Sequence, residues 1–182
     1  MKNIILFFWE TAKVVIIALL IVIPVRYFLF QPFVISGQSM EPNYSNGDYL
    51  IVESISYKIR EPQRGEVIVF YYPENPSFRH IKRIIGLPQE TIIIDDGKIE
   101  IISQEHKTFF LDESEYLDSF KTKERIEISL GEGEYFVMGD NRSASFDSRR
   151  WGSLPKDYII GKTAIKVFPL SGFQVIGAPN YY

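Results

Sequence analysis

The apolar residues of this chain are concentrated near its N-terminus. Within residues 4–25 the charged side chains are those of Glu10 and Lys13, which lie three residues apart and can pair on a helix. Residues 14–25 form an unbroken apolar run that is too short by itself to span about 30 Å of hydrocarbon. Apolar residues on either side extend this run. The pattern therefore predicts a single transmembrane helix within residues 4–30.

A cleaved signal peptide is the alternative for this segment, because Lys2 supplies the basic start that such peptides carry. A cleavage site with small residues is then expected shortly after the apolar run. Pro24-Val25-Arg26 does not fit, and Val34-Ile35-Ser36 is a weak and distant match. We therefore favour an uncleaved anchor. Its orientation is poorly determined by charge alone, because the basic residues flanking the apolar run are few.

The rest of the chain shows the alternation and the turn residues of β-structure. Asp96-Gly97 lies between two alternating runs, and this pair favours a type I′ turn because both of its residues tolerate positive φ. Further glycine, asparagine and proline residues separate the other runs. The predicted strands are residues 49–55, 66–72, 80–85, 91–95, 98–102, 125–130, 134–138 and 159–168.

These short runs, without a convincing helix beyond the N-terminus, predict a mainly β fold of coiled antiparallel sheets or a partly open β-barrel. We expect an N-terminal segment with its transmembrane anchor at residues 1–30, followed by a β-rich domain at residues 31–182. Residues 103–124 break the alternation and favour a surface insertion over a functional acidic tail. The acidic residues of this segment are Glu105, Asp112, Glu113, Glu115, Asp118 and Glu124.

Composition narrows the possible chemistry. The absence of cysteine excludes a disulfide framework, a thiol nucleophile, an iron–sulfur cluster and a thiolate zinc site. The two histidines, His80 and His106, are too few for a histidine-rich metal site, and nothing in the sequence ties either one to a serine. A net charge of −3 gives no electrostatic argument for nucleic-acid binding. We expect no metal and no cofactor.

Lys82 is the most informative residue on physical grounds. It lies in an apolar predicted strand, so either face of that strand places a cation beside isoleucine. Apolar surroundings disfavour the ammonium and lower the pKa of lysine. A lysine whose pKa is lowered to about 8.5 is roughly 10% neutral at pH 7.5 and can accept a proton from a serine. The alternative, equally compatible with the spacing, is an edge-strand lysine that opposes aggregation.

Several motifs mix small, polar and charged residues where an ordinary β-domain would have simple turns. The ordered set resembles the bacterial type I signal peptidases, the membrane-anchored Ser/Lys proteases, over nearly the whole chain. The short size and the single anchor resemble the Gram-positive-type members. The motifs that carry this resemblance are Ser39-Met40-x-Pro42, Gly47-Asp48, Arg64-Gly65-Glu66-Val67, Lys82-Arg83-x-x-Gly86-Leu87-Pro88 and Gly139-Asp140-Asn141-Arg142-x-x-Ser145-x-Asp147-Ser148-Arg149.

The resemblance implies a role for each matching residue. Ser39 is the nucleophile, and its backbone N–H stabilises the oxyanion. Lys82, neutral in the resting enzyme, is the general base, and Ser145 hydrogen-bonds and orients it. The supporting ion pairs implied are Asp147 with Arg149, and Asp140 with Arg83.

The resemblance also implies the substrates and the location. Secretory preproteins would be cleaved after small-x-small motifs, because shallow apolar pockets exclude bulkier groups. The expected pocket residues are Phe33, Ile35, Met40 and Ile81, for each of which ordinary core packing is the alternative. The enzyme would be a single-pass protein of the cell membrane with a cytoplasmic N-terminus and an extracytoplasmic peptidase domain. Its partners would be preproteins and the lipid bilayer, with no nucleic acid.

One position departs from the family pattern. In two-helix members, a serine two residues before the nucleophile donates a side-chain hydrogen bond to the oxyanion. Gly37 stands at that position and has no such donor. The loss of one donor can cost on the order of 3 kcal/mol of transition-state stabilisation, unless a backbone N–H or a water molecule replaces it.

Two other functions remain open at this point. The first is a non-catalytic anchored β-domain that binds an extended partner along an edge strand. The second is a Ser/Lys self-cleaving regulator of related fold, which would be expected to carry a DNA-binding domain. The proposed dyad makes a geometric prediction that separates these functions from a peptidase: the side chains of Ser39 and Lys82 must lie within hydrogen-bonding reach.

Overall fold

The computed structural model describes residues 2–28, 30–117, 125–169, 172–179 and 181. Its first element is the helix α1 (Lys2–Phe28), whose 27 residues extend about 40 Å at 1.5 Å per residue. Within it, Leu6–Ile23 is the one helical stretch of the described residues that is long and apolar enough to cross a membrane, and none of it is buried in the protein. Glu10 and Lys13 form the expected ion pair at 2.8 Å.

The larger of two sheets has eight strands, all paired in antiparallel fashion. Along its path the strand order is β1, β2, β11, β3, β4, β9, β10, and β12 pairs with β11. Among the described residues no ladder joins β1 to β10, so the sheet is not a closed barrel. The strands are β1 (Phe30–Val34), β2 (Tyr49–Glu53), β3 (Val67–Tyr71), β4 (Arg79–Gly86), β9 (Glu134–Met138), β10 (Leu154–Pro155), β11 (Ile159–Phe168) and β12 (Gln174–Val175).

The smaller sheet has four strands in the order β7, β6, β5, β8. The Asp96-Gly97 turn connects β5 to β6 as a hairpin, and both residues have positive φ, at 44° and 78°. Isoleucines from this hairpin pack into a core that also contains Phe136 and Met138 of the larger sheet. The strands are β5 (Thr91–Asp95), β6 (Lys98–Ile102), β7 (Thr108–Phe110) and β8 (Ile126–Ser129).

The predicted mainly β fold is confirmed, and each of the predicted strands is present with small shifts at its ends. Four strands were not predicted. β7, β10 and β12 have only two or three residues, which carry little periodicity, and β1 contains Pro32, which weakens a strand pattern. The sequence also missed α2 (Ser148–Trp151), a single helical turn that the Asp147 side chain caps by accepting a hydrogen bond from the backbone N–H of Arg149.

The acidic segment expected to be a surface insertion is described up to residue 117, and its Asp118 and Glu124 lie outside the described residues. The described part is not purely a surface feature, because Leu111 and Tyr116 are each only 9% exposed. Leu111 belongs to the core shared by the two sheets. The segment thus packs against the body of the domain.

Candidate active site

Ser39 and Lys82 come together from opposite sides of a cleft. Ser39 lies in the loop between β1 and β2, and Lys82 lies within β4. Lys82 Nζ is 2.7 Å from Ser39 Oγ and donates a second hydrogen bond to the carbonyl of Ile81 at 2.8 Å. The required proximity of these two side chains, 43 residues apart in sequence, is therefore present.

The surroundings of Lys82 favour its neutral form. The residue is 4% exposed, and this burial lowers its pKa from the ordinary 10.5 to about 8. The negative charges of Asp147 and Asp140 act in the opposite direction, and the positive charge of Arg149 adds to the lowering. At neutral to mildly alkaline pH a substantial fraction of this amine can accept a proton.

The loop that follows β9 packs directly against Ser39. The backbone N–H of Asn141 donates to the carbonyl of Ser39 at 3.0 Å. A Cβ atom added to Gly139 would overlap the same carbonyl and the side chain of Ser145. Glycine is therefore needed at position 139 because two segments of backbone meet there.

Both ion pairs implied by the resemblance are present beside this loop. Arg83 donates to both carboxylate oxygens of Asp140, at 2.8 and 2.6 Å, and both side chains are buried. Arg149 donates to Asp147 at 2.8 and 2.9 Å. The Asp147 carboxylate, which is fully buried, also accepts from the backbone N–H of Gly139 at 3.0 Å.

The net effect on Asp147 is to keep its carboxylate ionised. Burial by itself would raise the pKa of this carboxyl group, but hydrogen bonding and the charge of Arg149, together with the Gly139 N–H, lower it below the ordinary 3.8. Asp147 thus remains negatively charged, in the loop that follows β9, at any pH at which Lys82 is deprotonated.

Ser145 does not make the hydrogen bond to Lys82 that the resemblance implies. Its hydroxyl is buried and has no partner of normal hydrogen-bond geometry among the described residues, although its proximity to Asp147 helps to lower the pKa of that carboxyl group. The side chain lies against Gly139, which itself contacts the backbone of Ser39. The structure therefore brings Ser145 to the site without a hydrogen bond to Lys82.

Gly37 does not offer a free second donor to the oxyanion region. Gly37 has φ of +105°, a conformation that glycine adopts readily, and its backbone N–H donates to Asn46 Oδ1 at 2.9 Å. That N–H is therefore already engaged. Asn46, for which the sequence indicated only a turn, thus holds the chain two residues before Ser39.

The cleft has a volume of about 500 Å³ and lies between the β1–β2 loop and β4. Of the four expected pocket residues, Phe33 and Ile81 line it. Ile35 and Met40 are not among the lining residues; they are 3% and 0% exposed in a core to which Phe33 and Ile81 also belong. For these two residues the structure places the side chain in core packing, the alternative that the sequence had left open.

His80 also lines the cleft, but it is not hydrogen-bonded to a serine. Its ring stacks on Tyr72, with centroids 4.9 Å apart, and its Nδ1 is buried without a partner among the described residues. Burial and the nearby Lys82 lower the pKa of His80, which keeps the imidazole neutral. His106 is exposed in the turn between β6 and β7, away from the cleft lining.

Comparison with known proteins places this chain in a family. A family model described as signal peptidase, peptidase S26, matches residues 8–168. The chain is 33% identical to probable signal peptidase I-1 of Synechocystis, over 94% of this chain and 88% of that protein. It is also 33% identical to signal peptidase I T of Bacillus subtilis, over 89% of this chain and 86% of that protein.

One solved structure is similar to part of this chain. It is a signal peptidase I from Enterococcus faecalis V583, with a TM-score of 0.47 and 30% sequence identity. The match covers 57% of this chain and 97% of that chain.

Proposed function

The chain belongs to the signal peptidase family, peptidase S26, and we propose that it removes signal peptides from secretory preproteins with Ser39 as nucleophile and Lys82 as general base. The observation that carries this proposal is the 2.7 Å contact between Ser39 Oγ and a buried amine whose pKa is lowered to about 8. A surface lysine opposing aggregation would have neither the contact nor the burial.

The chemistry follows from these two groups. Ser39 Oγ attacks the scissile carbonyl while Lys82 takes the hydroxyl proton, and the oxygen of the tetrahedral intermediate faces the backbone N–H of Ser39. The Lys82 ammonium then protonates the departing amine, leaving an acyl ester on Ser39. Lys82 next takes a proton from water, whose hydroxide attacks the ester, and the freed Ser39 oxygen recovers the proton.

The lining of the cleft and an unpaired strand edge support the binding of an extended substrate. Phe33 and Ile81 line the cleft together with Ser39, and an apolar lining suits small apolar side chains. Residues 79–83 of β4 pair with β3 along one edge, whereas the pairing of β4 with β9 begins only at Arg83. Among the described residues, the second edge of residues 79–82 thus has no strand partner. An extended substrate can add to this edge by main-chain hydrogen bonds.

The apolar helix α1 supports membrane anchoring of this activity. An anchored enzyme meets substrates whose own apolar segments lie in the bilayer. We place the N-terminus in the cytoplasm and residues 31–182 on the extracytoplasmic side. That side is where a signal peptide emerges from the membrane.

The test is cleavage of a preprotein by the full-length chain in detergent. We expect Ser39→Ala and Lys82→Ala each to reduce cleavage to background while retaining the cooperative unfolding of the wild type. Ser114→Ala, in the acidic segment, and Lys98→Ala, on the smaller sheet, serve as matched controls and should retain full activity. Cleavage that survives both dyad substitutions would contradict the mechanism.

A further inference from the structure

The part of the acidic segment that follows β7 reaches the loop between β9 and α2. The carboxylate of Glu113 accepts two hydrogen bonds from the guanidinium of Arg142, both at 2.5 Å. The side chains of these residues are only 13% and 3% exposed. Arg142 Nε also donates to the carbonyl of Gly139 at 2.9 Å. One guanidinium thus joins the acidic segment to the loop beside the nucleophile.

Tyr116 makes a second set of contacts from the same segment. Its hydroxyl donates to Glu113 at 2.5 Å, and its ring lies 4.1 Å from the guanidinium of Arg83. Its backbone carbonyl accepts from Asn43 Nδ2, which also donates to Asp140, both at 2.9 Å. The segment therefore contacts both the loop that carries Ser39 and the ion pair next to Lys82.

Displacement of this loop would be transmitted to the nucleophile. Gly139, whose carbonyl Arg142 holds, is packed so closely against the Ser39 carbonyl that no side chain fits between them. Because a buried arginine without its carboxylate is strongly unfavourable, loss of Glu113 would drive Arg142 to move. Gly139 and the backbone of Ser39 would have to follow.

We propose that Glu113 is a positioning residue for the Ser39–Lys82 pair, acting through Arg142 and Gly139. This inference rests on the proposed function. It gives a role to the acidic segment, which the sequence suggested to be a surface feature.

The test is the full-length Glu113→Gln variant, which removes the charge and keeps the shape. We expect kcat for a preprotein to fall about 10- to 100-fold, the range that small misplacements of reacting groups produce, with KM changed less than about threefold. The pH midpoint of kcat should also move, because Asp147, Asp140 and Arg149, which set the charge around Lys82, lie in or against the same loop.

Two further variants keep the test decisive if Glu113→Gln unfolds. Glu113→Asp retains the charge and should recover part of kcat. Tyr116→Phe removes the hydrogen bond to Glu113, together with the one accepted from Tyr181, and should lower kcat in the same direction. Glu105→Gln is the matched control, because Glu105 forms an exposed pair with Lys107 in the same segment. Folded Glu113 variants with the kcat and pH midpoint of the wild type would overturn the inference, whereas a wild type without cleavage would overturn the proposed function.

A separate observation concerns the charge of the cleft. None of the residues that line it is an aspartate or a glutamate, and besides Lys82 the charged side chain is that of Arg79. The Arg79 guanidinium lies 5.8 Å from the ring of Phe33 and so spans the two walls. Arg79 forms no ion pair with the acidic side chains of the described residues.

We infer that Arg79 makes the cleft selective for substrate charge, again on the premise of the proposed function. An acidic side chain in the substrate segment lying over Phe33 gains an ion pair with Arg79, and a basic one is repelled. Arg79 is exposed, so the effect is moderate and falls with added salt.

The test uses pairs of preproteins that are identical except for one residue near the cleavage site. That residue is glutamate in one member and lysine in the other, and each position near the site is tested in turn. At one or more positions the wild type should cleave the glutamate form about two- to fivefold better in kcat/KM, the range of exposed charge pairs. Arg79→Gln should abolish this preference and Arg79→Glu should reverse it. Lys98→Glu makes the same charge change on the smaller sheet and should leave the preference intact.

The outcomes of this test separate cleanly. A preference that is the same in the wild type, Arg79→Gln and Arg79→Glu would overturn the role of Arg79 while leaving the peptidase function in place. Failure of the wild type to cleave any of the substrates would instead overturn the proposed function.

Discussion

Burial makes Lys82 useful as a base and unfavourable as a cation. Its ammonium is held among apolar side chains with the Ser39 hydroxyl and one carbonyl as hydrogen-bond partners. The carboxylates of Asp140 and Asp147 act on it through their charge, and they only partly offset the cost of burial. This balance leaves the amine close to half protonated in mildly alkaline solution.

We therefore expect kcat for a preprotein to rise with pH around a midpoint of about 8. The neutral amine accepts the Ser39 proton, so each pH unit below the midpoint lowers the fraction of enzyme with neutral Lys82 about tenfold. Initial rates at saturating substrate between pH 6 and 9.5 measure this profile. A flat profile over that interval would contradict an unprotonated Lys82 as the base.

The same burial affects stability. The unfolded chain keeps the Lys82 proton up to about 10.5, whereas the folded chain loses it near 8, so the unfolded state binds more protons between these values and stability rises with pH there. Below pH 8 the buried ammonium destabilises the fold by up to about 3 kcal/mol, at 1.36 kcal/mol per pH unit. Lys82→Met should thus be more stable than the wild type at pH 7.

Denaturant unfolding of both proteins measures this difference, which should shrink as the pH is raised from 7 towards 10. The comparison isolates Lys82, because the other titrating groups are the same in both proteins. A difference that stays constant with pH would show that Lys82 titrates alike in the folded and unfolded states.

Gly139 is the second residue whose environment allows a sharp prediction. A methyl group at this position overlaps the Ser39 carbonyl and the Ser145 side chain. We expect Gly139→Ala to lower kcat by about 100-fold, since small displacements of the nucleophile have effects of this size. Gly133→Ala offers a control, because a Cβ atom there meets nothing, although its φ of +70° adds some backbone strain. A near-wild-type kcat in Gly139→Ala would show that the loop can shift to accommodate the methyl group without displacing Ser39.

At the scale of elements, the loop between β9 and α2 is organised by Asp147. This carboxylate caps α2, pairs with Arg149 and holds the Gly139 N–H, so that one side chain joins both ends of the loop. These contacts of one carboxylate explain how an irregular segment keeps a defined conformation beside Ser39.

Asp147→Asn keeps the shape and removes the negative charge with which Arg149 pairs. We expect a loss of roughly 3 kcal/mol in the free energy of unfolding, as for other buried pairs that lose one member. Because the pKa of Asp147 is lowered in the fold, this stabilisation is present at neutral pH and is lost only as the pH falls through the lowered value.

Urea unfolding at pH 7 and at strongly acidic pH measures this loss, with the exposed Asp95→Asn as the control. The gap between the wild type and Asp147→Asn should narrow at acidic pH, where both side chains are neutral. An equal gap at both values would assign the effect to packing rather than to charge.

At the scale of the whole molecule, the apolar helix α1 precedes a mainly β domain whose cleft lies between β1 and β4. The β1 strand begins two residues after α1 ends, so the anchor leads directly into the wall that carries Phe33. A membrane anchor at this place would keep the cleft close to the bilayer surface.

The natural lack of cysteine allows a direct test of orientation. In intact cells, we expect Glu105→Cys, whose site is well exposed, to react with a membrane-impermeant maleimide. Asn3→Cys should react only after lysis, because the N-terminus is placed in the cytoplasm. Labelling of Asn3→Cys in intact cells, with protection of Glu105→Cys, would reverse the proposed topology.

The sequence by itself determined the features that depend on neighbouring residues. The N-terminal helix and the longer strands follow from local periodicity, and the motifs carried Ser39, Lys82 and the two supporting ion pairs. The pairing of Ser39 with Lys82 was expected only from resemblance, because their separation of 43 residues leaves no periodic signal.

Only the tertiary structure decided which side chains face the cleft and which polar groups find partners. It placed Ile35 and Met40 in the core, left Ser145 without a hydrogen bond to Lys82 and engaged the Gly37 N–H with Asn46. It also joined Glu113 to Arg142 across 29 residues. The physical reason is that hydrogen bonds and burial depend on distances between segments, which the order of residues along one strand or loop does not contain.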